Sequence, residues 1–103
     1  MIIVSVTYPA TAGSTFDLDY YRTKHMPLVR ERWGAAGLSD ARLLLGTGAP
    51  GGGAAAYHMV ALLSFDSPEA FGQAAKLHGK EIMGDIANFT DAKPVVQFNE
   101  ELS

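Results

Sequence analysis

The sequence predicts an α+β fold of the ferredoxin-like type, in which a four-stranded antiparallel sheet carries two helices on one face. Strand-like segments rich in β-branched and aromatic residues alternate with helical segments in the order βαββαβ. The two middle strands form a hairpin and the helices act as crossovers between strands. A chain of 103 residues has the commonest size of one domain, so residues 1–103 are expected to share a single core.

The first strand and the first helix follow one another at the start of the chain. Residues 2–8 (IIVSVTY) are β-branched and aromatic, with alternate side chains on opposite faces. Asp17 can accept hydrogen bonds from the free amides of a helix start, and the apolar spacing after it fits one stripe on a sheet. Pro27 lacks the amide that would bond the carbonyl of Thr23, so we expect a kink or break at residues 24–27.

A long hairpin occupies the middle of the chain. Residues 39–45 alternate like a strand, and residues 56–65 (AYHMVALLSF) are largely apolar on both faces, which predicts a strand covered on both sides. Between them GTGAPGGG, residues 46–53, is too glycine-rich to pack, so we interpret it as a mobile connection that could serve as a lid. It lacks the Lys-Ser/Thr of a phosphate-binding P-loop.

The second helix begins at Ser67 and Pro68, which supply a side-chain cap and a proline at the first helical position. Its apolar spacing stops near Asn88, and after Pro94 the residues 95–99 (VVQFN) form the last strand. The inner side of this helix is expected to consist of Ala70, Phe71, Ala74, Ala75 and Leu77.

The sheet face opposite the helices is expected to be covered by a second copy of the chain. Apolar residues make up 48% of the sequence and charged residues 18%, which leaves little polar surface for a compact monomer. Two such faces packed together would form an isologous homodimer that approaches a closed α/β barrel.

Composition also excludes several classes of partner and cofactor. The formal charge is −3 with no basic stripe, so nucleic-acid binding is not expected. With no cysteine, the chain can form neither disulfides nor thiolate metal sites, and we expect a cytoplasmic protein. No apolar run approaches the roughly 20 residues of a membrane span. The three histidines have neither H-x-H nor H-E-x-x-H spacing, so no metal site is predicted.

Three segments carry a resemblance to a known family: FDLDYYRTKHMPLV at residues 16–29, LLSFDSPEAF at residues 62–71 and EIMGDIANFTDAKPVVQ at residues 81–97. They resemble the EthD family, named for ethyl tert-butyl ether degradation and part of the dimeric α/β-barrel superfamily. That superfamily includes cofactor-free monooxygenases, lactone isomerases, decarboxylases and haem-handling proteins, so the resemblance implies a fold and a dimer but selects no reaction.

His25 is the candidate catalytic residue. It occupies the Y-x-x-x-H-x-P position of the family pattern, next to the proline of the first helix. An imidazole has an ordinary pKa near 6.5 and can act as proton donor or acceptor at cellular pH. Tyr21, one turn earlier, could share a ligand with His25 or orient its ring. The alternative is that His25 only stabilises the helix by a hydrogen bond across the proline.

Other residues are candidates for ligand contact or for a haem site. The aromatic side chains could line a pocket for a flat apolar ligand or could belong to the core, and His58 could be a ligand contact or a satisfied core residue. Haem-degrading relatives carry an axial histidine at a position like His78. They also use an Asn on the first strand and a Trp on the second helix, where this chain has Ser5 and Thr7 on the strand and Phe71 on the helix. A solvent-exposed His78 without haem is therefore expected. The ligand-binding candidates are Tyr20, Tyr21, Trp33, His58 and Phe71.

These observations together predict a cofactor-independent protein that binds or transforms a small hydrophobic or aromatic metabolite through acid/base chemistry at His25. The chemistry would be of the monooxygenase, isomerase or decarboxylase type. The alternative is a non-catalytic ligand carrier, or an accessory subunit of an oxygenase system.

Overall fold

The computed structural model describes residues 1–102 and contains a four-stranded antiparallel sheet with helices packed on one face. The strand order across the sheet is β2-β3-β1-β4, so the two central strands come from different halves of the chain. This is the α+β ferredoxin-like arrangement that the element order predicts, and the prediction is confirmed. The strands are β1 (Ile2–Pro9), β2 (Leu38–Leu45), β3 (Tyr57–Phe65) and β4 (Val95–Asn99).

The register of the sheet decides which side chains face the helices. β1 pairs with β3 through Val4 opposite Leu63, and with β4 through Val4 opposite Phe98. Directly opposed residues share a face, so alternate residues of the four strands point toward the helices. Phe65 also lies on this face and is fully buried, while Phe98 on the edge strand β4 remains 54% exposed.

The first helical segment continues through Pro27 without the break that the sequence predicts. α1 (Leu18–Tyr20) runs into a π-helical turn (Tyr21–His25) and then into α2 (Met26–Gly34). The Met26 amide donates to the carbonyl of Tyr21, five residues earlier. Of the kink or break expected at residues 24–27, the break is therefore wrong: the helix continues through Pro27, and the irregularity is a π turn that ends at His25.

The second long helix, α3 (Pro68–Gly84), is capped as expected by Ser67, whose hydroxyl accepts from the Ala70 amide at 3.1 Å. A short 3₁₀ turn (Ile86–Asn88) follows it. Two predicted exposures are wrong: Leu77 is 66% exposed and His78 is half-buried. The buried residues of α3 are Ala74, Gly79 and Ile82, and Leu77 lies beside them on the solvent side.

The core lies between the sheet and the helices, and aromatic side chains fill much of it. Trp33 of α2 contacts Phe65 and Phe71 edge-to-face, at ring-centroid distances of 5.9 and 5.6 Å. Its indole Nε1 donates to the Ala74 carbonyl at 2.9 Å, which satisfies the one polar atom of the ring. These contacts fix α2 against α3 at one end of the sheet.

The opposite sheet face has no covering element within residues 1–102, and it is less uniformly apolar than the sequence predicts. Pairing places Leu44, Val60, Thr7 and Val95 in one row across the four strands. The other two rows are mostly polar. They hold Arg42, Leu62, Ser5 and Gln97, followed by Asp40, Ser64, Ile3 and Asn99. Apolar surface is therefore concentrated at one end of this face.

The burial pattern predicts that two large apolar side chains contribute very differently to the free energy of unfolding. Phe65→Ala should lower the free energy of unfolding by about 3–5 kcal/mol, because it empties a fully buried site of the core. Leu77→Ala should change it by no more than about 0.5 kcal/mol, because Leu77 is 66% exposed. Urea titrations of both variants provide the comparison, and equal losses would contradict the orientation of α3.

Candidate acid/base site

His25 is the last residue of the π-helical turn and is only 3% exposed. Its ring lies near-parallel to that of Tyr21, with centroids 5.5 Å apart, and against Phe89 at 4.6 Å. The π turn adds one residue to the helical repeat and so changes the direction in which the following side chains point. Such turns occur often at functional sites.

Asp85 holds one edge of the His25 ring. The imidazole Nδ1 lies 2.9 Å from the carboxylate Oδ2 of Asp85, the residue that directly follows α3. The second carboxylate oxygen, Oδ1, accepts from the Tyr20 hydroxyl at 2.7 Å and from the Asn88 amide at 2.9 Å. The Asn88 amide also lies 3.3 Å from the Tyr20 hydroxyl. The carboxylate is thus fixed by three side chains from both helical regions.

The environment sets the protonation state of the pair. Burial lowers the pKa of His25 below 6.5, against the opposing effect of Asp85. Burial of Asp85 acts to raise its pKa, but hydrogen bonds from Tyr20, Asn88 and His25 outweigh that effect and hold its pKa below 3.8. At neutral pH the carboxylate is ionised and the imidazole is neutral. Because a carboxylate only accepts hydrogen bonds, Nδ1 carries the proton and Nε2 keeps its lone pair.

The free Nε2 belongs to a residue that lines a cavity between the helices and the sheet. Nε2 makes no hydrogen bond to any residue from 1 to 102. In these residues every side-chain nitrogen or oxygen without accessible surface makes a hydrogen bond. Because Nε2 makes none, it must keep some accessible surface. The cavity measures about 20 Å³, which is room for one water molecule. It is lined by Val6, Tyr8, Tyr21, His25, Met26, Val29, Trp33, Ala61, Leu63, Ile82, Met83 and Ile86.

The structure brings three of the sequence-predicted site residues together, because His25, Tyr21 and Trp33 all line this cavity. Tyr20 does not line it but supports Asp85 from the side. Phe71 packs on Phe65 and Trp33, away from the cavity.

His58 lies outside the cavity, near the end of the sheet where the chain enters β3. One ring nitrogen, Nε2, lies 2.8 Å from the Ser14 hydroxyl, and the ring stacks on Phe16 at 5.6 Å. No group of three or more metal-binding side chains occurs in the described part of the chain.

Sequence reasoning missed Asp85, Asn88 and Tyr8 as site residues. Asp85 carries a usable signal, because an acidic residue at the carboxyl end of a helix is unfavourable toward the helix dipole. Such a residue needs a compensating partner, and here Tyr20, Asn88 and His25 provide it. Tyr8 carries no such signal, since an aromatic residue in a strand is ordinary core composition.

The fold and the buried acid/base pair define a small ferredoxin-like α+β protein with a polar site enclosed between its helices and sheet. The EthD domain family matches residues 14–93. The chain therefore belongs to the EthD family.

Solved structures agree with this assignment. The chain is 40% identical to an EthD-like protein from Ralstonia eutropha JMP134, with a TM-score of 0.90 over 99% of this chain and 92% of that one. An EthD family protein from Bacillus halodurans C-125 is 22% identical, with a TM-score of 0.70 over 99% of both chains. A dimeric ferredoxin-like protein from an uncultured marine organism is 15% identical, with a TM-score of 0.63 over 100% and 96% of the two chains. No curated protein matches the sequence.

One further finding concerns membranes. In residues 1–102 no helix combines the length and the apolar character that crossing a bilayer requires.

The lowered pKa of His25 predicts a pH dependence of stability. In the unfolded chain His25 takes up its proton near pH 6.5, whereas the folded protein resists protonation until its lower pKa is reached. The free energy of unfolding should therefore fall as the pH drops below 6.5. The contribution of Asp85 is lost only in stronger acid, below its ordinary value of 3.8.

Urea titrations of wild type and His25→Gln between pH 7 and pH 5 isolate this effect. The wild type should lose stability relative to the variant as the pH falls. Parallel curves for the two proteins would show that burial of His25 does not depress its pKa.

Proposed function

We propose that this EthD protein is a cofactor-independent acid/base catalyst that acts on a small hydrophobic or aromatic molecule, with His25 as the base. One observation carries the proposal: a neutral imidazole, fixed by a carboxylate through Nδ1, keeps an unbonded Nε2 and belongs to the lining of a cavity formed mostly by apolar side chains.

The arrangement suits removal of a proton from a carbon or oxygen next to a carbonyl or aromatic ring. Nε2 accepts the proton, and the ionised Asp85 stabilises the imidazolium that forms. The same imidazolium can then return the proton at another atom of the ligand. This one transfer serves an isomerase, a decarboxylase that protonates its product, or an oxygenase that presents a carbanion to dioxygen.

Ligand entry requires the cavity to open, since its present volume holds one water molecule. Met83 lines the cavity and is also 45% exposed, so it lies where the cavity meets solvent. Met26 lines it from the opposite helix and is buried. Methionine side chains have three rotatable bonds and rearrange easily, so they can yield to a ligand.

Deuterium exchange tests the assigned role of His25. Small aromatic ketones and lactones, incubated with the protein in D₂O, should gain deuterium next to the carbonyl, as measured by proton NMR. His25→Gln should lower the rate by about 10²–10⁴-fold, because it removes the proton acceptor. Asp85→Asn should cause a smaller loss, since it removes the charge that stabilises the imidazolium.

His78→Gln serves as the matched control. His78 does not line the cavity, so this variant should catalyse deuterium exchange at the wild-type rate. Exchange by His25→Gln at the wild-type rate would remove His25 from the mechanism. Ligands that raise the melting temperature of the wild type but show no exchange would instead identify a carrier.

We further propose that two copies of this chain pair through the open sheet face. The apolar row that contains Leu44, Val60 and Val95 would be buried by such contact, and Leu44 and Val95 are 53% and 54% exposed in the single chain. The ferredoxin-like protein from the uncultured marine organism is dimeric, which agrees with this pairing. A twofold contact of open faces leaves the helices, and the His25 cavity, on the outside.

The pairing predicts a mass of twice the 11.0 kDa chain in sedimentation at low micromolar concentration. Leu62→Arg, at the centre of the open face, should shift the protein to single chains, whereas Leu77→Arg on the outer surface of α3 should not. A wild-type chain that sediments as a monomer would refute the pairing.

A further inference from the structure

The hydroxyl groups of Tyr8 and Tyr21 lack partners although both side chains are buried. Tyr8 is 2% exposed and Tyr21 is 1% exposed, and both line the cavity that His25 lines. Buried tyrosine hydroxyls usually find a hydrogen-bond partner, because an unpaired polar group in the interior costs free energy. Neither hydroxyl makes a hydrogen bond within residues 1–102. In the same residues, every polar side-chain atom without accessible surface does make one. Both hydroxyls therefore reach open space without a protein acceptor.

The two tyrosines and His25 follow one another along the cavity. Tyr8 comes from β1 and meets Tyr21 edge-to-face, with centroids 6.0 Å apart. Tyr21 in turn stacks on His25 at 5.5 Å. The sheet thus contributes one unpaired hydroxyl, and the π-helical turn contributes a second together with the imidazole.

We infer that Tyr8 and Tyr21 donate hydrogen bonds to an oxygen of the ligand, and that the ligand is a small neutral carbonyl compound with an acidic C–H group. The inference rests on the proposed role of His25 and adds a substrate class to it. Enolisation needs a base that takes the proton and donors that stabilise the enolate oxygen. His25 would be the base, and the Tyr8 and Tyr21 hydroxyls would be the donors.

The electrostatics of the cavity agree with a neutral ligand. Burial raises the pKa of both tyrosines above its usual value of 10, so the hydroxyls stay protonated and act as donors. His25 is neutral, and the remaining lining side chains are apolar. The charge of Arg30 acts on Tyr21, but burial outweighs it, and no lysine or arginine lines the cavity. A carboxylate or phosphate would therefore lose its hydration without gaining a direct ion pair, which disfavours it.

The chemical step balances without a co-reactant. His25 Nε2 takes the proton from the carbon next to the carbonyl, and the C–H electron pair becomes the C=C bond of the enolate. The carbonyl π pair moves onto oxygen, where the tyrosine hydroxyls stabilise the charge. Return of the proton from Nε2 to the same or a conjugated carbon regenerates the base and gives exchange or isomerisation.

Binding of two matched probes tests the donors. Acetophenone carries a carbonyl oxygen and exchangeable methyl hydrogens, and α-methylstyrene has the same shape with CH₂ in place of oxygen. Wild type should bind acetophenone more tightly, as measured by calorimetry. Tyr8→Phe and Tyr21→Phe should each weaken acetophenone binding by about 2- to 12-fold, the value of one hydrogen bond, and leave α-methylstyrene unchanged.

Tyr57→Phe is the control, because Tyr57 is 42% exposed and lies outside this cavity. The two cavity variants should fold with melting temperatures at or above the wild-type value, since each loses a hydroxyl that has no partner. A clear drop in melting temperature would show that the hydroxyls are satisfied in the protein and would overturn the inference.

The combined results separate this inference from the proposed function. Tyrosine-dependent binding without deuterium exchange of acetophenone would support the donors and refute His25 as the base. Exchange that requires His25 but is unchanged in both tyrosine variants would refute the donors alone. Equal affinity for the two probes in wild type, or binding of neither, would also overturn the inference.

Discussion

The hydrogen bond between His25 and Asp85 is the interaction on which the site depends. It joins residues 60 positions apart in the chain, from the first helical segment and from the end of α3. Both helical regions pack on the sheet, and the hydrogen bond from the Tyr20 hydroxyl to Asp85 ties them together at the same end. The bond fixes the tautomer of the imidazole and the direction of Nε2 together, so one geometric constraint determines both the chemistry and its orientation.

Local patterns were sufficient for the fold. Residues 2–8 and the VVQFN segment are predicted as strands because their β-branched side chains suit a half-buried sheet surface. Ser67 and Pro68 mark a helix start, because the serine caps a free amide and the proline suits the first helical turn. The sequence does not predict the course of the helix at Pro27, because the effect of this proline depends on the turn before it. A π turn ends directly before Pro27 and the helix continues beyond it, and residue preferences do not reveal such a turn.

The candidate site could be predicted only in part, for a physical reason. His25 and Tyr21 lie one turn apart, so their shared face follows from helix geometry. Asp85 reaches the imidazole only after the crossovers have been packed, and sequence spacing carries no information about that approach. Leu77 shows the same limit, because a leucine beside a helical stripe looks like part of the stripe until the helix is placed on its sheet.

In the proposed role, the methionines at the cavity would determine how selective the protein is toward its ligand. A wall of branched or aromatic side chains would fix one ligand outline, whereas Met83 at the opening and Met26 inside it can adopt many shapes at little energetic cost. Discrimination between ligands would then come from the position of their oxygen more than from their contour. A single chain of this kind could accept a series of related compounds that differ in ring size or alkyl substitution.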